Sequence, residues 1–270
     1  NDDIDFDAYI CGSDQIWNPL LYGGFERGYF LKFTENNNKI SYAPSIRVKK
    51  LTKEQKDKFF EFLSDFKAIS VREKSSVNLL NEVIHKKVHQ VLDPTLLLTA
   101  EQWENQFTKK NKFQRKSYGV VYETHKNLEL EKSIQDIKKE LNIEFFNISN
   151  NVDSISYTSN KLAHIGPKEF VNLIRNARFV VTNSFHCIVF CVQFGVPFIA
   201  FQHENDDRFN SVLQPIGLEG RIIYRWDLNF IKFNLDNNIE YEEIQAKLND
   251  MRKSSIDFLM NSLGDKDDEL

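Results

Sequence analysis

Short apolar runs alternate along this chain with longer stretches in which apolar residues recur every three or four positions, the pattern of an α/β protein. Ala8-Tyr9-Ile10-Cys11 predicts a strand ending at Gly12, and the run from Ile40 to Ile46 predicts a second. Thr52 opens a helix, because Gln55 three residues on completes a capping box. Phe59, Phe60, Leu63 and Phe66 are expected on its buried face. Ala68 to Val71 predicts a strand, Ser75 to Val83 a helix, and Val88 to Leu92 a strand broken by Asp93-Pro94. Thr99 and Gln102 form a second capping box before Trp103.

Residues Thr108 to Lys116 are basic and polar around a lone Phe113 and read as a linker. Beyond it the alternation resumes. Tyr118 to Tyr122 predicts a strand, Leu128 to Leu141 a helix and Ile143 to Ile148 a strand. Phe170, Leu173, Ile174 and Ala177 share a helix face. Phe179-Val180-Val181 predicts a strand, His186 to Phe194 a helix stopped by Gly195, and Phe198 to Phe201 a strand. The segment from Ile239 to Leu263 is helical and amphipathic. The expectation is two Rossmann-like domains, residues 1–112 and 113–230, followed by a helical segment over 231–270. In such folds ligands sit at the carboxyl ends of the strands, here in a cleft expected between the domains.

Composition narrows the function. The 270 residues, 41% of them hydrophobic, suffice for the cores of one or two domains, and most of the 23 phenylalanines are expected there. No apolar run reaches the roughly 18 residues of a membrane helix, and the acidic start lacks the pattern of a signal peptide. Three cysteines, Cys11, Cys187 and Cys191, form no CxxC pair, which points to a reducing compartment and makes cytoplasm the expectation. A net charge of -4 with no basic stripe argues against nucleic acid. The scattered histidines include His85 and His89 beside a lysine-rich turn but no HExxH, so no metal site is expected. Neither GxGxxG, Walker A nor GxSxG occurs.

Three places carry candidate chemistry. In Val180-Val181-Thr182-Asn183-Ser184-Phe185-His186 a strand runs into polar residues and a helix. Asn183 or Ser184 is a natural N-cap, so the helix start forms an anion site with His186 in its first turn. An imidazole there can pair with a phosphate or carboxylate and pass a proton to a leaving oxygen; the plain alternative is a packed or surface histidine. In Gly12-Ser13-Asp14-Gln15-Ile16-Trp17, Asp14 could accept a hydroxyl proton and Trp17 could stack on a sugar ring, or the segment could be a turn with a core tryptophan. Arg72, where a strand meets a helix, suits bidentate recognition of phosphate or carboxylate, although a salt bridge to a nearby acid is the commoner fate.

These stretches together resemble the polysaccharide pyruvyl transferase family. The resemblance rests on Asp7-Ala8-Tyr9-Ile10-Cys11-Gly12-Ser13-Asp14-Gln15-Ile16-Trp17-Asn18-Pro19, Ile40-Ser41-Tyr42-Ala43-Pro44-Ser45, Ser70-Val71-Arg72-Glu73 and Val181-Thr182-Asn183-Ser184-Phe185-His186, continuing to Gly195-Val196-Pro197-Phe198. Supporting pieces are Val91-Leu92-Asp93-Pro94-Thr95 and Asp207-Arg208-Phe209 with Leu213, Gly217-Leu218 and Arg221. The resemblance implies a fold similar to the two-domain glycosyltransferase-B type, a phosphoenolpyruvate donor and no other cofactor. It also implies a sugar acceptor, a lipid-linked oligosaccharide among those it allows. The family's donor-binding arginine matches Arg72, its histidine matches His186, and the residue lining the donor matches Phe185. Ser13, Gln15, Trp17, Ser45, Ser184 and Arg208 complete the expected substrate-binding set, with Asp14 as a candidate base. The expectation is that Arg72 and His186 act on one small anion. Two departures stand out. The family carries an extra α/β segment before the Gly-Ser-Asp-Gln strand, so the first domain is expected to be incomplete. Cys187 follows the histidine, where many relatives have a small residue.

Overall fold

Two parallel sheets with flanking helices carry the chain, as the alternation of apolar runs and amphipathic stretches predicts. This computed structural model describes residues 6–21, 24–107, 117–149, 160–162, 164–202, 207–236 and 240–264. The expected linker over 108–116, and with it the expected boundary after residue 112, lies outside the described residues. The chain divides into two compact units, residues 1–97 with 248–270, and residues 98–247.

In the first unit, strands β1 (Tyr9–Cys11), β2 (Lys39–Ser41), β3 (Ala68–Val71) and β4 (Val88–Gln90) lie side by side in chain order. Helix α1 (Lys53–Leu63) joins β2 to β3, and α2 (Lys74–Asn81) joins β3 to β4. The predicted capping box opens α1: Thr52 N donates to Gln55 Oε1 at 2.9 Å and Gln55 N to Thr52 Oγ1 at 3.2 Å. The inward face of α1 is Phe59, Phe62 and Leu63, leading to buried Phe66. Phe60, expected on that face, is 51% exposed, because one residue past Phe59 is a 100° turn away from the stripe. Trp17 is 2% exposed and stacks on Phe30 with ring centroids 5.2 Å apart, meeting Phe59 and Phe66 edge-on.

The strand expected over 40–46 ends at Ser41. Ala43 takes a left-handed φ of 58°, and Pro44 brings no N–H, so the chain leaves the ladder there. Two buried serines lock β2 to β3 instead. Ser41 Oγ donates to Ser70 O at 2.9 Å and Ser70 Oγ to Ser41 O at 2.7 Å.

The second unit contains α3 (Ala100–Phe107), β5 (Tyr118–Tyr122), α4 (Leu128–Leu141), β6 (Glu144–Asn147), β7 (Asn160–Lys161), α5 (Pro167–Asn176) and β8 (Phe179–Thr182). It continues through α6 (Phe185–Phe194), β9 (Phe198–Phe201), α7 (Arg208–Leu213), β10 (Ile222–Ile223), α8 (Leu228–Asp236) and the start of α9 (Tyr241–Leu263). The sheet order is β10-β9-β8-β5-β6-β7, so the winding reverses between β5 and β8. Strand alternation divides the core. Val121, Phe179, Val181, Ile199 and Phe201 meet Leu130, Ile134 and Ile137 of α4 and Ile231 of α8. On the other face the Tyr122 ring meets Phe170 of α5, which in turn meets Phe190 of α6. Gly195 closes α6 at φ 64°, where a Cβ would lie 2.6 Å from the Tyr241 ring.

From residue 248 onward α9 counts with the first unit. Phe258 packs with Ile40, Tyr42 and Val91 on the face of that sheet away from Trp17. Leu92 N donates to Ser255 Oγ at 2.9 Å and Arg252 Nε to Leu96 O at 2.7 Å, so the helix is pinned beside β4. No helix among the described residues is long and apolar enough to cross a membrane.

Candidate functional site

The predicted residues fall into two sets, one in each unit, and both lie where strands end. In the first unit β1 runs into Ser13, Asp14 and Gln15, β2 into Ser45, β3 into Arg72 and β4 into Asp93. The register places Cys11 opposite Ser41 and Val71 opposite Gln90, so these loops share the carboxyl edge of one sheet.

Arg72 is the hub of that edge, and it is buried. Its Nε donates to Glu73 Oε1 at 2.9 Å and its Nη1 to Asp93 Oδ2 at 2.8 Å, while Nη2 lies 3.9 Å from Asp14 Oδ1. Both Glu73 and Asp93 are buried, so one guanidinium faces two interior carboxyl groups. Burial opposes the arginine's charge, but these acids outweigh it and hold the group above its usual range. This is the salt-bridged fate that sequence gave as the commoner one. Asp93 is also the knot of the loops: its Oδ1 accepts from Thr95 N at 3.0 Å and Thr95 Oγ1 at 2.6 Å, and Ser13 Oγ lies 3.1 Å from its Oδ2.

The remaining predicted residues of this edge are brought together around Arg72. Ser45 N donates to Asp14 O at 2.7 Å, and Arg72 N to Pro44 O at 3.2 Å. Asp14 is exposed, with Oδ1 accepting from Gln15 N at 2.8 Å. Gln15 Oε1 accepts from Arg47 Nη1 at 3.1 Å and Asn18 Nδ2 at 3.2 Å. Three non-glycine residues here, Asp14, Ala43 and Arg47, hold φ of 69°, 58° and 53°. Each costs about 1–3 kcal/mol that the surrounding bonds must offset. Trp17 does not join them. Its ring is stacked inside the core and its Nε1 donates to Tyr29 O at 3.0 Å, so the expected sugar platform is a core tryptophan.

In the second unit the sheet's winding reverses between β5 and β8, and the crevice outside such a reversal is where open α/β sheets place ligands. The predicted Ser184-Phe185-His186 segment is at that point. Ser184 caps α6, its Oγ accepting from Cys187 N at 3.4 Å, and its own N donates to Thr182 Oγ1 at 3.0 Å. Phe185 is buried; His186, in the first turn, is half-buried and meets the Phe185 ring edge-on at 5.5 Å. Arg208 begins α7 and is buried. Cys187 and Cys191 are buried within α6; loss of hydration in the apolar interior pushes the Cys191 thiol up.

Three residues of this edge stand outside the predicted site set, Asn183 among them although it was a candidate N-cap. Asn183 sews the β8–α6 turn to the β5–α4 loop: its Oδ1 accepts from Thr124 N at 2.8 Å and Thr124 Oγ1 at 3.1 Å, and its Nδ2 donates to His125 O at 2.7 Å. Glu123 is buried; its N donates to Ser149 Oγ at 2.8 Å and its Oε1 accepts from Asn127 N. Gln202, directly after β9, is buried as well. The signal available for Glu123 and Gln202 was their position: each is the first polar residue after an apolar strand, Tyr118–Tyr122 or Phe198–Phe201. Among the described residues no group of three or more His, Cys, Asp or Glu side chains is placed to hold a metal ion.

This α/β architecture is of the glycosyltransferase-B-like class. UDP-GlcNAc 2-epimerase from Methanocaldococcus jannaschii, in complex with UDP-GlcNAc and UDP, matches with TM-score 0.51 and 13% identity, over 84% of this chain and 80% of that one. UDP-N-acetylglucosamine 2-epimerase from Rickettsia bellii matches with TM-score 0.51 and 11% identity, over 88% and 78%. The UDP-forming alpha,alpha-trehalose-phosphate synthase from Burkholderia xenovorans, in complex with glucose-6-phosphate, matches with TM-score 0.51 and 11% identity, over 89% and 70%. At such identities the likeness establishes the fold alone. No curated protein sequence gives a significant match. The chain itself belongs to the polysaccharide pyruvyl transferase family, whose family model matches residues 2–205.

Proposed function

We propose that this chain moves the pyruvyl group of phosphoenolpyruvate onto two hydroxyls of a polysaccharide sugar, forming a cyclic ketal and releasing inorganic phosphate. Membership of the family supports transfer of a pyruvyl group to polysaccharide. The observation that carries the finer reading is the placement of Ser184-Phe185-His186 at the start of α6, outside the sheet's reversal point. A helix start favours an anion, and phosphoenolpyruvate presents a phosphate and a carboxylate on three carbons.

The reaction balances as follows. A proton added to the methylene carbon makes it a methyl group and leaves the adjoining C2 electrophilic. One sugar hydroxyl forms a bond to C2, and the C2–O bond to phosphate breaks, with its electron pair leaving on phosphate. The second hydroxyl then closes the ring. Of the two hydroxyl protons, one balances the new methyl group and the other leaves with phosphate. His186 is the proton carrier of this scheme, because its imidazole stands in the first turn of α6. Asp14, exposed at the first unit's edge, is the candidate to accept a hydroxyl proton.

The test is phosphate release by the full chain given phosphoenolpyruvate and free or lipid-linked oligosaccharides, with UDP-sugars as the competing donors. Release only when phosphoenolpyruvate and an acceptor are both present is expected. His186→Ala should lower turnover by about 10²–10⁴. Turnover with UDP-sugars alone, or full turnover in His186→Ala, would overturn the assignment.

A further inference from the structure

We propose that Gln202 reads the molecule held at the start of α6: its buried carboxamide donates a hydrogen bond to an anionic oxygen there. The identity of that molecule as phosphoenolpyruvate rests on the function proposed above; the role of Gln202 does not.

The backbone of Gln202 is fixed, because its N–H continues the ladder beyond β9 by donating to Ile223 O at 2.9 Å. The residue is 3% exposed, and neither Oε1 nor Nε2 has a hydrogen-bond partner among the described residues. A carboxamide brings two N–H donors and two acceptor lone pairs into the interior. Leaving all of them unmet is costly, and native proteins seldom do so without a reason. A leucine would fill a similar volume at no such cost.

Register and alternation say where the amide is. Thr182 of β8 pairs with Ala200 of β9, so Gln202, two residues on, is level with Ser184, the N-cap of α6. Ile199 and Phe201 turn to the α4 and α8 face. Gln202 follows Phe201 and, with Ala200, turns to the opposite face, the one covered by α5 and α6. The unengaged amide is therefore beside the first turn of a ten-residue helix. A helix start attracts an anion along its axis. A neutral amide alongside adds a directed donor without adding a second charge to the interior. Two independent features, the helix start and the unengaged interior amide, thus converge on one oxyanion.

The experiment measures binding of phosphoenolpyruvate, and separately of inorganic phosphate, to the full chain by titration calorimetry. It compares wild type with Gln202→Leu and Gln202→Glu, and records the ligand-free melting temperature of each. A hydrogen bond to a charged group is worth enough that Gln202→Leu should weaken binding about tenfold or more. Its ligand-free melting temperature should be unchanged or raised, because an unmet polar group has been removed. Gln202→Glu should weaken binding further by setting a carboxylate against the anion. A purely structural glutamine gives the opposite pattern: a lower melting temperature with unchanged affinity, which would overturn the proposal. If phosphate binds and Gln202→Leu weakens it while phosphoenolpyruvate shows no preference over phosphate, the role of Gln202 stands and the donor assignment falls. If phosphoenolpyruvate binds equally to all three proteins, the donor assignment stands and the role of Gln202 falls. Binding of neither probe to wild type would also overturn it.

Discussion

The carboxyl edges of the two sheets are built on opposite plans. In the first unit a buried ion network draws the edge together: Arg72 donates to Glu73 and Asp93, Asp93 holds Thr95 and Ser13, and three residues with left-handed φ are held in place around them, while the buried Ser45 Oγ has no hydrogen-bond partner among the described residues. In the second unit a helix begins at the edge, His186 is half-buried at its start, and the amide of Gln202 has no hydrogen-bond partner among the described residues. A buried ion network holds loops in one arrangement, since breaking it exposes charge to a poor solvent. A surface that takes up and releases a small anion needs hydrogen-bonding capacity that the protein itself leaves unused. The difference makes the first edge one held together by charge, and it supports the proposal that the second reads a molecule.

The largest expected effect tests the first half of that contrast. Arg72→Met leaves Glu73 and Asp93 buried without their cation and should cost about 3–5 kcal/mol of stability. Trp17 lies in the first unit's core, so urea unfolding followed by its fluorescence, with Trp103 and Trp226 replaced by Phe, reads that unit. Arg72→Lys should recover little, because an ammonium does not reproduce the fork that reaches two carboxylates. Unchanged unfolding of Arg72→Met with loss of phosphoenolpyruvate binding would invert the comparison and make Arg72 a ligand residue.

A smaller effect tests the second edge. Asn183→Ala removes two backbone ties between the β8–α6 turn and the β5–α4 loop, those to Thr124 N and His125 O, and should cost about 1–3 kcal/mol. Faster amide exchange is expected at Thr124. Catalysis should fall together with that protection, since Asn183 adjoins the segment bearing His186. Unaltered exchange at Thr124 would show that the turn keeps its shape without the side chain.

Much of this was legible in the chain. Both capping boxes, at Thr52–Gln55 and Thr99–Gln102, form as their spacing predicts, because they depend only on local geometry. The α6 segment from Ser184 to Gly195 was legible for the same reason: an N-cap, an apolar run and a left-handed glycine are local signals. What was not legible depends on partners distant in sequence. Trp17 could have faced a ligand or the core, and only the arrival of Phe30, Phe59 and Phe66 decides for the core. Ile40 to Ile46 looked like one strand because nothing local announces the left-handed Ala43, which is held by the loops around Ser70 and Asp14. Which acids pair with Arg72 was not legible either, because Asp93, which takes up its Nη1, lies twenty-one residues away. Gln202 gave no periodic signal at all; its meaning comes from register against β8.

The smallest expected effect asks how far the first unit's reliance on charge extends beyond its edge. Lys39, buried at the start of β2, donates to Asp65 Oδ2 at 2.7 Å, and Lys32 reaches the same oxygen at 3.0 Å. Burial alone would raise the Asp65 carboxyl, but the two lysines outweigh it and hold the group below its usual range. Because the folded value is the lower one, this stabilisation is complete above the ordinary carboxylate range, near pH 4, and drains away as pH falls through the depressed folded value. Asp65 is about a third exposed, so screening by solvent keeps the contribution to about 1 kcal/mol. Unfolding read through Trp17 should therefore weaken between neutral pH and about pH 3. Asp65→Asn should show its loss already at neutral pH and a flatter acid slope. An identical slope in wild type and Asp65→Asn would confine the unit's dependence on charge to the Arg72 network, and the contrast between the two edges would then be a property of those edges rather than of whole units.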